Sequence, residues 1–168
     1  MKYLCIFLVC LIPLVVSCDK DEENVKSKQK VLIDFDGITE EQLLEGVVDG
    51  LVTYQIVSTT EDDACGEGRT SFELNSNTSV SWLWLYGARL QLDVSRVEVE
   101  LLTLFVHDNC GGCFKVFFYN DKGEIIDYYH DFNSELGKQK IVIPANFSNL
   151  NSIAFSGCED AIGKIVLN

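Results

Sequence analysis

Proline and positive charge are scarce in this 168-residue chain, which has two prolines and thirteen lysines and arginines against twenty-six acidic residues. With so little proline, extended runs go largely uninterrupted, because proline removes a ladder N–H wherever it enters a sheet. The net charge of −13 sets the surface against phosphate backbones and argues against nucleic acid as a partner. Several catalytic signatures are missing too: there is no nucleophile elbow, no HExxH, no phosphate-cradling glycine loop and no dinucleotide fingerprint. Acids are plentiful, but none is singled out as a pair held at glycosidase spacing. We therefore expect a non-enzyme.

No apolar run is long enough to span a bilayer. The longest, residues 3–16, follows Lys2 and stops abruptly, so residues 1–17 read as a secretory signal. At its end, Val15-Val16-Ser17-Cys18 resembles the bacterial lipoprotein box. The cluster Asp19-Lys20-Asp21-Glu22-Glu23-Asn24 directly after it resembles the export signal of surface lipoproteins in the Bacteroidota. These resemblances imply that Cys18 is acylated, that a lipid bilayer is a partner, and that the protein sits on the outer membrane, at the cell surface. Several acyl chains anchor stably where one does not. Residues 18–29 are polar and without aromatics and read as an acidic, lipidated tether, leaving 30–168 as one domain.

Within that domain, short β-branched and aromatic runs alternate with turn residues, the mark of an all-β sandwich or barrel. The runs fall at 31–35, 51–58, 69–74, 79–86, 88–94, 96–107, 114–119, 124–130, 140–143, 152–155 and 162–167. One helix interrupts them: Thr39-Glu40-Glu41-Gln42 is a capping box before Leu43, Leu44, Val47 and Val48. Asn120-Asp121-Lys122-Gly123 marks the clearest hairpin. If each successive strand reverses, the stretches 107–113, 130–138 and 156–161 share one rim. His107, Asp108, Cys110, Cys113, His130, Asp131, Cys158, Glu159 and Asp160 are then expected at one end of the domain.

The stretch Leu92-Asp93-Val94-Ser95-Arg96-Val97-Glu98-Val99, the FYNDKGEII hairpin and the ending LNSIAFSGCEDAIGKIVL resemble the galactose-binding-like β-sandwiches. That resemblance implies an antiparallel jelly-roll β-sandwich with one short helix near the N-terminus, and a glycan as the ligand class. Similar endings carry paired acids where this chain has Gly163 and Lys164.

Beyond Cys18, the cysteines of the mature chain are Cys65, Cys110, Cys113 and Cys158. In an oxidising compartment an even set invites disulfides, and the preferred pairing is Cys110 with Cys113 and Cys65 with Cys158. A redox pair would need its first cysteine at a helix N-terminus, whereas this CxxC lies between strands. A structural zinc would draw on Cys110 and Cys113, completed by Cys158, His107 or His130, but the second CxxC or HxxxH of a strong zinc signature is missing. The acidic loop Glu61-Asp62-Asp63 with Glu67 offers hard oxygens to calcium without the EF-hand register. No other cofactor is implied.

Side chains alternate along a strand, so Trp82, Trp84 and Tyr86 share one face, an arrangement suited to stacking on sugar rings. Leu83 and Leu85 make the other face apolar as well, so core packing of at least one tryptophan is the competing expectation. The functional expectation is a surface-anchored glycan-binding module. The alternative is an interaction or structural lipoprotein whose acidic face meets another envelope protein.

Overall fold

A computed structural model describes residues 26–57, 71–75, 80–130 and 136–168. Ten strands and one helix follow in the order β1 (Val31–Asp34), α1 (Glu40–Glu45), β2 (Val47–Asp49), β3 (Val52–Val57), β4 (Ser71–Asn75), β5 (Trp82–Asp93), β6 (Leu101–Asp108), β7 (Lys115–Tyr119), β8 (Ile125–His130), β9 (Gly137–Pro144) and β10 (Ser152–Leu167). Every named strand pair is antiparallel. The fold is the expected all-β sandwich.

Thr39 caps α1 as its sequence predicts: its hydroxyl accepts from the Gln42 N–H, and the Gln42 side chain accepts from the Thr39 N–H. The helix is shorter than its apolar pattern suggested. Gly46 ends it, and Val47 and Val48 leave to pair with β3, because backbone pairing satisfies N–H and C=O groups that a frayed turn would leave open. The 120–123 hairpin forms as expected, with the Asn120 side chain accepting from the Lys122 and Glu124 N–H groups.

Two of the expected strand breaks do not exist. The runs 79–86 and 88–94 are one strand, β5, and the runs 152–155 and 162–167 are one strand, β10. Both are long because both belong to two layers. Residues 82–86 of β5 pair with β4 and with the later part of β10, while residues 89–93 pair with β3 and the earlier part of β10. On its other edge β10 meets β7 over 152–156 and β6 over 161–167. One layer is therefore β4, β5, β10, β6 and β9, with β1 alongside; the other is β2, β3, β5, β10, β7 and β8.

Inward-facing Leu83, Leu85, Ile162 and Leu104 from the first layer and Leu90, Leu92, Phe155 and Phe118 from the second form one buried core. Burying each such side chain contributes roughly 1.5–3 kcal/mol. The inward parity of β5 changes at Gly87 and Ala88, where the strand turns from one layer into the other. Gly87 holds φ 78° there, and β10 turns the same corner through two bulges and Glu159 at φ 65°, a left-handed conformation uncommon for a side-chain-bearing residue.

The described residues among those expected at a shared rim do meet, at this corner, but for a different reason. β6 and β7 do not form a hairpin. They run in the same direction along one edge of β10, and the segment 109–114 between them arches over the β10 bulge. Asp108 and Asp160, both fully buried, point inward beneath it. Asp108 accepts from the N–H groups of Cys110 (2.9 Å), Gly111 (2.7 Å) and Gly112 (3.0 Å), so one carboxylate organises the arch. Asp160 accepts from the N–H groups of Asn109 (3.3 Å) and Cys158 (3.1 Å), and its side chain also bonds that of Asp108. Gly157 leaves room for it, since a Cβ there would lie 2.7 Å from an Asp160 carboxyl oxygen.

The two carboxyls titrate in opposite directions. Burial, then the hydrogen bond to Asp108 and the charge of Asp108, push Asp160 up to about 7. Burial also opposes ionisation of Asp108, but the Gly111, Gly112 and Cys110 N–H groups and the Asp160 side chain outweigh it and hold Asp108 below the ordinary carboxyl value. Asp160 is thus the protonated partner and Asp108 the ionised one.

Cys110 and Cys113 form a disulfide inside the arch, with Cα atoms 5.7 Å apart. Cys158 is disulfide-bonded as well; Cys65, its expected partner, lies outside the described residues. His130 Nε2 hydrogen-bonds the Gly112 carbonyl at 2.8 Å, and Asp131 lies outside the described residues.

Two outcomes follow from this corner. Because the folded state holds a proton on Asp160 that the unfolded chain releases, stability falls as pH rises from about 4 to about 7, by up to about 1.4 kcal/mol per pH unit, and then levels off. Asp160→Asn removes that slope, so thermal denaturation at pH 5 and pH 8 gives a smaller difference for the variant than for the wild type. Alkylation without reductant, followed by intact mass, adds no alkyl group to Cys110 or Cys113. Alkylation of either in the unreduced protein contradicts the disulfide.

Candidate functional site

The outer face of the first layer carries the aromatic row. Trp82, Trp84 and Tyr86 all project outward and are partly exposed, while Leu83 and Leu85 fill the core beneath them. Neither tryptophan is a core residue. The Trp84 and Tyr86 rings stack with centroids 6.5 Å apart and planes 17° from parallel. Burial, then the nearby charges of Glu73 and Glu159, raise the Tyr86 hydroxyl above its ordinary value, so it stays a neutral donor.

Strand register explains how this surface extends across the sheet. Glu73, Trp84, Ala161, His107 and Lys138 stand in one cross-strand row over β4, β5, β10, β6 and β9. Small residues occupy the central strand, and this lets the rings lie over it. A Cβ at Gly163 would sit 3.1 Å from the Trp82 ring, so a larger side chain there would displace the indole. His107 packs against both indoles, its ring centre 5.9 Å from that of Trp82 and 5.5 Å from that of Trp84. The Lys138 ammonium lies 5.3 Å from the centre of the Trp82 ring.

His107, first considered as a metal ligand, is therefore part of the aromatic surface. His130 sits apart from it, bonded to the arch. With their sulfurs joined, Cys110 and Cys113 present no thiolate to zinc, which binds the deprotonated thiol. Among the described residues no group of three or more His, Cys, Asp and Glu is placed to hold a metal. Cys18 and the acidic loop with Glu61, Asp62, Asp63 and Glu67 lie outside the described residues.

Lys138 and Phe105 are site residues that the sequence pattern did not single out. Phe105 is 37% exposed and stands between Lys164 and Lys140 in the next row. An exposed phenylalanine amid lysines on an otherwise alternating strand was the available signal. A groove of about 620 Å³ lies elsewhere, where Lys26, Glu98 and Glu100 meet the turn after β9. Mixed charges line it together with Pro144 and Phe147, and the incoming chain enters beside it. Ser27 pairs with Val97 there, and Lys28 bridges to Glu98 at 3.1 Å.

No protein-family model matches the sequence, and none of the curated proteins matches it. Among solved structures, the chain is similar to a low-affinity xylan-binding module, CBM86, from Roseburia intestinalis, at 12% identity, covering 68% of this chain and 94% of that one with a TM-score of 0.42. It is similar to BiXyn10A CBM1 at 10% identity over 84% of this chain and 99% of that one, with a TM-score of 0.46. A third is the family 11 carbohydrate-binding module from Clostridium thermocellum, at 10% identity over 85% and 94% of the two chains, with a TM-score of 0.36. At these identities the likeness concerns the course of the chain and not its residues.

Proposed function

We propose that this protein is a non-catalytic glycan-binding module, with the Trp82, Trp84 and Tyr86 surface as its platform. The observation that carries this is the outward, continuous stack of Trp84 on Tyr86 beside Trp82 and His107. Carbon-bound hydrogens make one face of a pyranose ring apolar, and that face packs on an aromatic ring while the hydroxyls stay at the edges. Lys138 and Glu73, at the two ends of the row, are placed to hydrogen-bond such hydroxyls. Each ring buries the apolar face of one sugar unit, so several together hold a sugar chain without a deep pocket.

The lipoprotein resemblance supports a surface anchor through acylated Cys18. The chain joins the domain at residues 26–28, on the rim where β6 begins, and β6 runs from there to the corner beside Trp84 and His107. An anchor at that rim holds the corner end of the platform away from the membrane.

Soluble xylan, mixed-linkage β-glucan and galactomannan, each cast into a native gel, retard the wild-type protein on at least one of them, and Trp84→Ala weakens that retardation by about tenfold or more. Equal retardation of variant and wild type removes the aromatic platform from the function. In the native host, Cys18→Ser moves the protein from the membrane fraction to the soluble fraction; a variant that still pellets with membranes rejects the lipid anchor.

A further inference from the structure

We infer a second glycan-binding face, on the outer side of the other layer, that takes a neutral, extended sugar chain laid across the strands. It shares a ligand class with the function proposed above but none of its residues. Three cross-strand rows define it. Gln55, Gln91, Ala154, Phe117 and Tyr128 stand in register over β3, β5, β10, β7 and β8. Thr53, Asp93, Ser152 and Tyr119 form the row on one side, and Val57, Arg89, Ser156, Lys115 and His130 the row on the other.

The central strand contributes only Ser152, Ala154 and Ser156 to this face, so its floor is low. To one side, the amides of Gln55 and Gln91 and the carboxylate of Asp93 line an open groove of about 300 Å³ with Ser152. To the other side stand aromatic rings, of which Tyr128 is 62% exposed. Arg89 joins the two halves: its guanidinium lies 4.9 Å from the centre of the Phe117 ring and donates to the Tyr119 hydroxyl at 2.9 Å. That contact fixes the aromatic half relative to the amide half.

The chemistry of the lining selects the ligand. Glutamine amides both donate and accept, which suits hydroxyls that do the same. Arg89 and Lys115 stand in one flanking row and Asp93 in the other, a surplus of a single positive charge over the whole face, and its middle row is neutral. Five strands spaced 4.7–4.9 Å apart give a row about 19 Å long, long enough for several linked rings and too long for a single monosaccharide. β8 is an edge strand, and its Tyr128 is the most exposed ring of this face. A ligand on this face gives that tyrosine a use.

The outer faces of the two layers look away from the shared core and from each other. One molecule with both sites therefore bridges two polysaccharide chains. The test compares Trp84→Ala, the pair Gln91→Ala with Tyr128→Ala, and all three changes together, each first checked for an unchanged melting temperature. Retardation is read in the same xylan, mixed-linkage β-glucan and galactomannan gels, and the clouding of a dilute solution of whichever polysaccharide retards the wild type reports bridging. The expected result is that each single-face variant keeps weakened retardation, the combined variant loses it, and only the wild type clouds the solution.

If the Gln91 and Tyr128 variant retards and clouds like the wild type, or if Trp84→Ala alone abolishes binding, the second face is overturned and the first stands. If the Gln91 and Tyr128 variant alone abolishes binding while Trp84→Ala binds normally, the second face stands and the first is overturned. If the wild type is retarded by none of the three polysaccharides, both are overturned.

Discussion

The Asp108 carboxylate, buried under an arch of backbone, is the interaction on which the arrangement of this domain depends. Two strands belong to both layers, and where they turn the corner the regular ladder breaks, leaving backbone N–H groups without partners. A buried unpaired donor costs about 1–3 kcal/mol, and three of the donors in the 109–114 arch end on this one carboxylate. Asp160, protonated beside it, closes two more. The Cys110–Cys113 disulfide and the His130 bond to Gly112 then hold an arch that the carboxylate has already shaped.

The corner also decides what the outer surfaces present. Because β5 changes its inward parity at Gly87, its even-numbered residues face outward before the turn and its odd-numbered residues after it. The same strand thus offers Trp82, Trp84 and Tyr86 to one surface and Arg89, Gln91 and Asp93 to the other. β10 does the same with small residues, giving Ala161 and Gly163 under the tryptophans and Ser152, Ala154 and Ser156 on the far side. A long strand with bulky residues at those positions would fill both surfaces and leave no room for a sugar ring.

Much of this was legible in the chain. Alternation of apolar residues gave the strands, the Thr39 capping box gave the helix start, and the 120–123 turn residues gave the hairpin, because each depends on neighbours within a few residues. Those local signals misled wherever a partner from afar competed. Val47 and Val48 fit the helix pattern, yet β3 claims them. Ser156 to Asp160 looks like a turn, with its glycine, cysteine and acids, yet pairing with β5 carries β10 through it on two bulges. Trp82 and Trp84 share a face by period alone; whether that face met core or solvent depended on which layer lay beneath Leu83 and Leu85.

By itself the sequence determined the strand-rich class, the capped helix, the hairpin and the grouping of the three aromatics on one strand face, since these follow from backbone geometry and short-range periodicity. It also determined that 107–113 and 156–161 would lie near one another, although the reversal argument that led there was wrong in detail. Tertiary structure alone decided that β5 and β10 each serve two layers, that His107 joins the tryptophans instead of the cysteines, and that the Asp108 and Asp160 side chains meet in a buried hydrogen bond. Those outcomes rest on contacts between residues tens of positions apart, whose energies depend on burial and register, and neither quantity exists until the layers have closed.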